Sequence, residues 1–252
     1  MSNGTPEGLL HGRRVLVTGG SGGIGRGICE VAAREGARVA FTYHGNAAGA
    51  EATRAQLGGA EVIAIQVDLR ERDAAARVVA QVDAAWGGID ALVNNAAISE
   101  AVPFVLLDDD DWDDLMALNV TAVFRLCRAA ARAMVRQKYG RIVNIGSIAG
   151  ARSIASPVHY ATSKGAIEGM TRSLAHELGR YGILTNCVAA GIFEGGLRST
   201  IPEHHQKRYI DACALGRIGA PVECGELVAW LASARNTYLN GTVLVLDGGT
   251  LA

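Results

Sequence analysis

The sequence predicts a doubly wound α/β fold: one parallel sheet of about seven strands with helices on both faces. Two observations point there. Short runs dense in Val, Ile and Ala alternate with helical-period segments from one end of the chain to the other. A glycine-rich stretch, Gly19-Gly20-Ser21-Gly22-Gly23-Ile24-Gly25, separates the first strand from the first helix. The 252 residues, 49% of them hydrophobic, suffice for one large core.

Residues 1–11 are polar and Gly-rich and read as a mobile leader, which leaves 12–252 as a single domain. A strand over Arg14 to Thr18 enters the glycines. The helix after them shows Ile24, Ile28, Val31 and Ala32 on one face and stops near Gly36. Arg38 to Tyr43 is a second strand, so the opening is a βαβ unit. A helix at 47–57, a strand at 61–67, a helix at 72–86 and a strand at 91–94 follow. A long helix spans 109–137, with Asp108 to Asp111, Asp113 and Asp114 at its start. Arg125, Arg128, Arg132, Arg136 and Lys138 lie toward its end, an order that suits the helix macrodipole. A strand at 141–145, a helix running to Tyr181 and a strand at 184–189 come next. A loop-rich segment (192–220), a helix (221–233) and a strand (242–246) close the chain.

Composition excludes several classes of function. A formal net charge of −1 argues against a nucleic-acid binder. No apolar run reaches the roughly 18 residues a membrane span needs. The five cysteines form no CxxC and, with no signal peptide, read as reduced core thiols of a cytoplasmic protein. No metal site is expected, and His204 and His205 lack a third ligand at suitable spacing.

Tyr160 and Lys164 stand four residues apart at the start of a helical pattern, so they project from one face. A free phenol, with a pKa of about 10, is a poor proton shuttle near neutral pH. A nearby ammonium favours the phenolate and makes the pair a tuned acid/base. The glycines between strand and helix let a backbone approach a pyrophosphate, which then meets the helix N-terminus.

Thr18-Gly19-x3-Gly23-x-Gly25, Asn94-Asn95-Ala96-Ala97, Asn119, Ser147 and Tyr160-x3-Lys164 together resemble the short-chain dehydrogenase/reductase family, in order and in spacing over residues 12–249. Leu215 to Pro221 and the closing Leu246-Asp247-Gly248-Gly249 most resemble its 3-oxoacyl-[acyl-carrier-protein] reductases. The resemblance implies a catalytic set of Asn119, Ser147, Tyr160 and Lys164. Tyr160 would protonate the carbonyl oxygen as hydride arrives, and Ser147 would donate a hydrogen bond to that oxygen. Lys164 would lower the Tyr160 pKa and hold the nicotinamide ribose, and Asn119 would anchor a relay water. Cofactor contacts are expected from Gly19, Ser21, Gly22, Gly23 and Ile24, from Thr42, Tyr43 and His44, and from Asp68 (toward the adenine) and Leu69. Asn94 or Asn95, Ala96, Ala97, Tyr160, Lys164, Gly191 and Ile192 complete the set.

The end of the second strand, Thr42-Tyr43-His44, carries no acid to repel a 2′-phosphate, which favours NADP(H) over NAD(H). Against that, the Arg many NADP-dependent relatives carry in the glycine loop is Gly22 here. Two further positions depart from the family pattern. Its Pro-Gly is Ala190-Gly191, and a lid threonine is Gly195, so the substrate lid at 192–215 should contact the cofactor more loosely.

The leading expectation is an NADPH-dependent reductase of a β-ketoacyl thioester carried on an acidic acyl carrier protein, with Arg136, Lys138, Arg141, Arg172 and Arg180 as candidate docking cations. A dehydrogenase of a secondary alcohol, sugar or specialised metabolite is the alternative, and a non-catalytic dinucleotide-binding scaffold a third reading. The resemblance also implies a homodimer or homotetramer, with Ala129, Ala130, Ala133, Ala161 and Ala166 allowing close helix approach.

Overall fold

The computed structural model describes residues 8–151 and 156–251. Seven parallel strands, β1 (Arg14–Val17), β2 (Arg38–Tyr43), β3 (Val62–Gln66), β4 (Ala91–Asn94), β5 (Gly140–Ser147), β6 (Ile183–Ala190) and β7 (Val243–Leu246), pair in the order β3-β2-β1-β4-β5-β6-β7. Each of the first six strands feeds a helical connection: α1 (Gly23–Arg34), α2 (Ala47–Gln56), α3 (Ala74–Trp86), then α4 (Asp109–Met116) and α5 (Val123–Gln137). After β5 come α6 (Ile148–Ala151) and α7 (Val158–Leu178), and after β6, α8 (Glu203–Ala212) and α9 (Pro221–Ala232). The order reverses between β1 and β4, the switch point at which such sheets hold ligands.

Strand alternation divides the core in two. Val15, Val17, Val39, Phe41, Ala91, Val93, Val143 and Val188 pack with α1 and α9 on one face. Leu16, Ala40, Leu92, Ile142 and Cys187 pack with α3, α5 and α7 on the other. Both faces are dry, which is why the strands read as continuous apolar runs.

Three expectations change. Residues 1–7 of the leader lie outside the described residues, but its end is anchored. Leu10 is 1% exposed, and the backbone N–H groups of Leu9 and Leu10 donate to the Glu35 carboxylate and carbonyl. Burying Leu10 there outweighs the polar composition around it. The helix read as continuous over 109–137 contains a π-helical stretch, Ala117–Ala122, because the side chain of Asn119 is pulled onto Ile98. The segment read as loop-rich folds into a 3₁₀ turn (Gly196–Thr200) and α8.

The Leu215-to-Pro221 motif has a structural account. Glu223 accepts both Arg217 Nη groups at 2.8 Å and caps α9 by accepting from Ala220 N–H at 2.7 Å. The Arg217 guanidinium holds its carboxyl down to about 2.

Candidate active site

All the strands end on one side of the sheet, and a cavity of about 1210 Å³ opens there. Every residue named above for the cofactor lines it except Asn94, and so do Ser147, Tyr160 and Lys164. Asn119 stands behind the wall, and five elements separated by up to about 170 residues in sequence meet here.

The first wall is the loop between β1 and α1. Gly25 lies so close to the Gly19 carbonyl that a Cβ would sit 2.1 Å from that oxygen. Gly22 is the opposite case: a Cβ there would meet nothing within 4 Å, so the loop presents an open cradle to the cavity. No side chain caps the α1 N-terminus. Its free N–H groups face the cradle, and such a site suits a diphosphate. Beneath the loop, Thr18 Oγ1 accepts from the N–H of Asn95 and of Ala96, each at 2.9 Å. Asn95 Nδ2 donates back to Thr18 O and Gly19 O at 2.8 and 3.2 Å. Asn95 is therefore a clamp on the loop as well as part of the lining.

Asn94 does not reach the cavity. It is 4% exposed and donates to Asn144 Oδ1 at 2.8 Å and to Cys127 Sγ, so it locks β4 to β5. Period-two alternation turns it away from Asn95. Thr42 Oγ1 accepts from Gly19 N–H at 3.2 Å, which ties the end of β2 to the loop.

Asp68 accepts the Arg70 guanidinium at 2.7–3.1 Å, and Arg70 turns its other side to Asp114. The hydrogen bonds from Arg70 hold the Asp68 carboxyl below the ordinary carboxylate range despite its partial burial. Asp68 is the only acidic side chain lining the cavity among the described residues, and its charge is matched.

Ser147 closes β5, where its Oγ accepts from Ala149 N–H at 3.2 Å. Lys164 is 5% exposed, donates to Ile145 O at 2.9 Å and stands 5.6 Å from the centroid of the Tyr160 ring. Burial pushes Lys164 down to about 8. Burial also raises the Tyr160 phenol above its ordinary value, and the Ser147 hydroxyl pulls the other way. Within the chain itself, desolvation outweighs the Ser147 hydrogen bond. Asn119 accepts from Ile98 N–H at 3.0 Å and donates to Ile98 O at 2.9 Å and Ser163 Oγ at 3.2 Å. Ser163 Oγ donates to Tyr160 O at 2.8 Å, so Asn119 braces the turn that carries Tyr160.

The lid also contributes. Ile201, His205 and Tyr209 line the cavity, whereas His204 is exposed and packs edge-on against His205 with centroids 4.2 Å apart. A Cβ at Gly191 would collide with the Tyr209 hydroxyl, which explains the glycine.

The candidate docking cations are placed elsewhere. Arg136, Lys138 and Arg180 precede β5 or β6 and Arg141 is the second residue of β5, so all four lie at the opposite end of the sheet from the cleft. Arg141 is 6% exposed and spends its guanidinium on the carbonyls of Gly140, Ser233 and Asn236. Arg172 pairs with Glu168 at 3.2 Å. Parallel strands put all their starts at one end, and the sequence order of those residues encodes that end.

Residues 19–250 match a family model described as enoyl-(acyl carrier protein) reductase. Nodulation protein G of Rhizobium sp. (strain N33) is 36% identical over 240 residues, 95% of this chain and 97% of that protein. The 3-oxoacyl-[acyl-carrier-protein] reductase FabG of Vibrio cholerae serotype O1 is 35% identical over 241 residues, 95% of this chain and 98% of that protein. This chain belongs to the short-chain dehydrogenase/reductase family. A short-chain dehydrogenase of Burkholderia cenocepacia J2315, solved in complex with NADP, superposes with a TM-score of 0.90 at 37% identity, covering 97% of this chain and all of that one. As a member of the short-chain dehydrogenase/reductase family, the chain is an NAD(P)-dependent oxidoreductase.

Sequence reasoning missed Arg70, Arg198, Arg208 and the apolar group Val102, Pro103 and Phe104, all of which line the cavity. For Arg70 the signal was its i+2 spacing from Asp68 at a strand end. For the apolar group it was a run from Val102 to Leu107 directly ahead of an acidic helix start.

Proposed function

We propose that this chain reduces a ketone with NADPH, and that the ketone is a β-ketoacyl thioester. One observation carries the reading. The cavity lined by Ser147 and Tyr160 is also lined by Val102, Pro103, Phe104, Val158, Leu197 and Ile201, an apolar surface suited to an acyl chain beside a carbonyl-binding pair of hydroxyls. The kinship to a 3-oxoacyl-[acyl-carrier-protein] reductase supports it.

A bound nicotinamide dinucleotide supplies the hydride. The chain supplies a proton and its electrostatics. Tyr160 gives its phenolic proton to the ketone oxygen, and Ser147 donates a hydrogen bond to the same atom. Lys164, pinned on Ile145 O, stabilises as a cation the phenolate that remains. The loop after β1 would hold the diphosphate on backbone N–H groups, and Asp68 and Arg70 would flank the adenosine. The preference for NADP(H) rests on Thr42, Tyr43, His44 and Asn46, which put no carboxylate at the end of β2. The partner assigned to the thioester is an acyl carrier protein docking at the cleft mouth. We further propose a homotetramer. Phe124, 47% exposed on α5, supports an interface there, but Ala130 and Ala133 face the core, which leaves Ala129, Ala161 and Ala166 for close approach.

The test is cofactor oxidation with a short β-ketoacyl thioester and with the matching α,β-unsaturated thioester, each with NADPH and NADH. Turnover of the ketone with NADPH is the expected result. Turnover of the unsaturated thioester alone, or of secondary alcohols alone in the oxidative direction, would reject the ketone assignment. A single-subunit mass by light scattering would reject the tetramer.

A further inference from the structure

Three glycines seat the start of the lid on the loop after β1. Gly23, Gly195 and Gly196 all have positive φ, at 51°, 72° and 54°. A Cβ on Gly23 would lie 2.9 Å from Gly196 Cα, so lid backbone rests directly on the first residue of α1.

Arg198 follows two residues later and lines the same cavity. Its Nε donates to Gln206 Oε1 at 2.7 Å, while Gln206 Nε2 donates to Ile201 O at 2.8 Å and Arg198 O at 3.2 Å. Gln206 therefore holds both the guanidinium and the main chain of Arg198. Among the described residues, no carboxylate lies within ion-pair distance of Arg198, and its Nη groups donate to no protein atom. Arg208 on α8 also lines the cavity and makes no ion pair among the described residues, but its side chain is exposed and held by no partner. The arginines beside the loop are committed. Arg26 donates to Ser21 O, Gly49 O and Thr53 Oγ1, and Arg70 is shared by Asp68 and Asp114. The loop itself offers N–H groups and the Ser21 hydroxyl, but no cation.

A guanidinium held in place with its fork unused is matched to an oxyanion, and phosphate suits it best. We propose that Arg198 is a ligand of the dinucleotide's diphosphate, reaching it from the lid while the α1 N-terminus meets it from the loop. The inference rests on the dinucleotide reading of the cleft. Gly195 offers the nucleotide no side chain, and Arg198, three residues on, gives the lid an ionic hold on it instead. Seating of the lid thereby becomes part of nucleotide binding.

The test is the Kd of the full-length protein for NADPH, NADH and adenosine 2′-monophosphate, read by fluorescence without turnover. Arg198→Gln should weaken NADPH and NADH alike, by about tenfold to a hundredfold, as loss of a charged hydrogen bond does. Adenosine 2′-monophosphate, which has no diphosphate, should bind unchanged, and Arg198→Lys should restore part of the loss. Weakening of NADPH alone would move the guanidinium to the 2′-phosphate and overturn the proposal. Unchanged nucleotide Kd values with a raised ketone KM would overturn it in favour of a substrate contact. Wild-type protein that binds neither dinucleotide would overturn both the proposal and the reading beneath it. A melting temperature equal to wild type separates all of these from misfolding.

Discussion

The two walls of the cleft are held by different kinds of bond. The wall made by the ends of β1 and β4 hangs on one buried hydroxyl. Thr18, 1% exposed, accepts two backbone N–H groups, and Asn95 returns two bonds to the glycine loop. The lid has no buried residue in α8. It is fastened at its far end by Tyr209 Oη to Asp247 O at 2.9 Å, Cys213 Sγ to Gly248 O at 3.3 Å and Leu215 N–H to Gly248 O at 3.2 Å. Segments with few buried contacts open at low cost, whereas core strands open only with the whole domain. The β1 and β4 wall is thus built on the core, and the segment from Gly196 to Ala212 hangs on a few latches.

The largest effect belongs to Tyr160, which α7 brings to the cleft beside both walls. Tyr160→Phe leaves the contacts of the β1 and β4 wall intact, so NADPH should bind with unchanged Kd while kcat falls by about 10²- to 10⁴-fold. A kcat within about threefold of wild type would remove Tyr160 from the proton transfer.

Next comes the hydroxyl that carries the fixed wall. Thr18→Val preserves shape and leaves the Asn95 and Ala96 N–H groups without their acceptor, at a cost of about 1–3 kcal/mol in urea unfolding. Nucleotide affinity should fall with it. A variant as stable as wild type would show that Thr18 does not organise the loop.

Lys164, on α7, tests the same cleft through pH. Its folded pKa of about 8 lies below the 10.5 of an exposed lysine. Below pH 8 the ammonium is charged in both states, and its burial costs stability. Between 8 and 10.5 the folded chain releases the proton first, so that cost fades as pH rises. Lys164→Met should therefore stabilise the chain near neutrality, and the gain in urea midpoint should shrink toward pH 10.5. A gain that does not change with pH would contradict the buried ammonium.

The smallest effect is assigned to the lid. Tyr209→Phe removes one partly exposed hydrogen bond and should lower stability by about 1 kcal/mol or less. The ketone KM should rise while kcat holds. A loss as large as that of Thr18→Val would erase the distinction between the two walls.

Much of this architecture is legible along the chain. Ala91–Asn94 is legible to the residue, because a strand buried on both faces leaves an uninterrupted apolar run. The glycine loop, Ser147, Tyr160 and Lys164 are readable because their chemistry demands a residue type at a local spacing. The π turn at Asn119 is not legible, since its cause is a hydrogen bond to Ile98, 21 positions away. Nor is the sharing of Arg70 between Asp68 and Asp114, the second of which lies 44 positions away.

What the sequence determined by itself is therefore the alternation of strands and helices, the glycine loop and the placing of Ser147, Tyr160 and Lys164, all set by periodicity or short spacing. The tertiary structure decided which polar side chains face the cleft. It turned Asn94 into the core and Asn95 onto the loop, buried Arg141 against the carbonyls of Ser233 and Asn236 and brought Arg198 to the cavity. It also set the Tyr160 phenol above its ordinary value, because burial there outweighs the Ser147 hydrogen bond. Those outcomes depend on desolvation and on partners distant in sequence, and both exist only once the strands have paired.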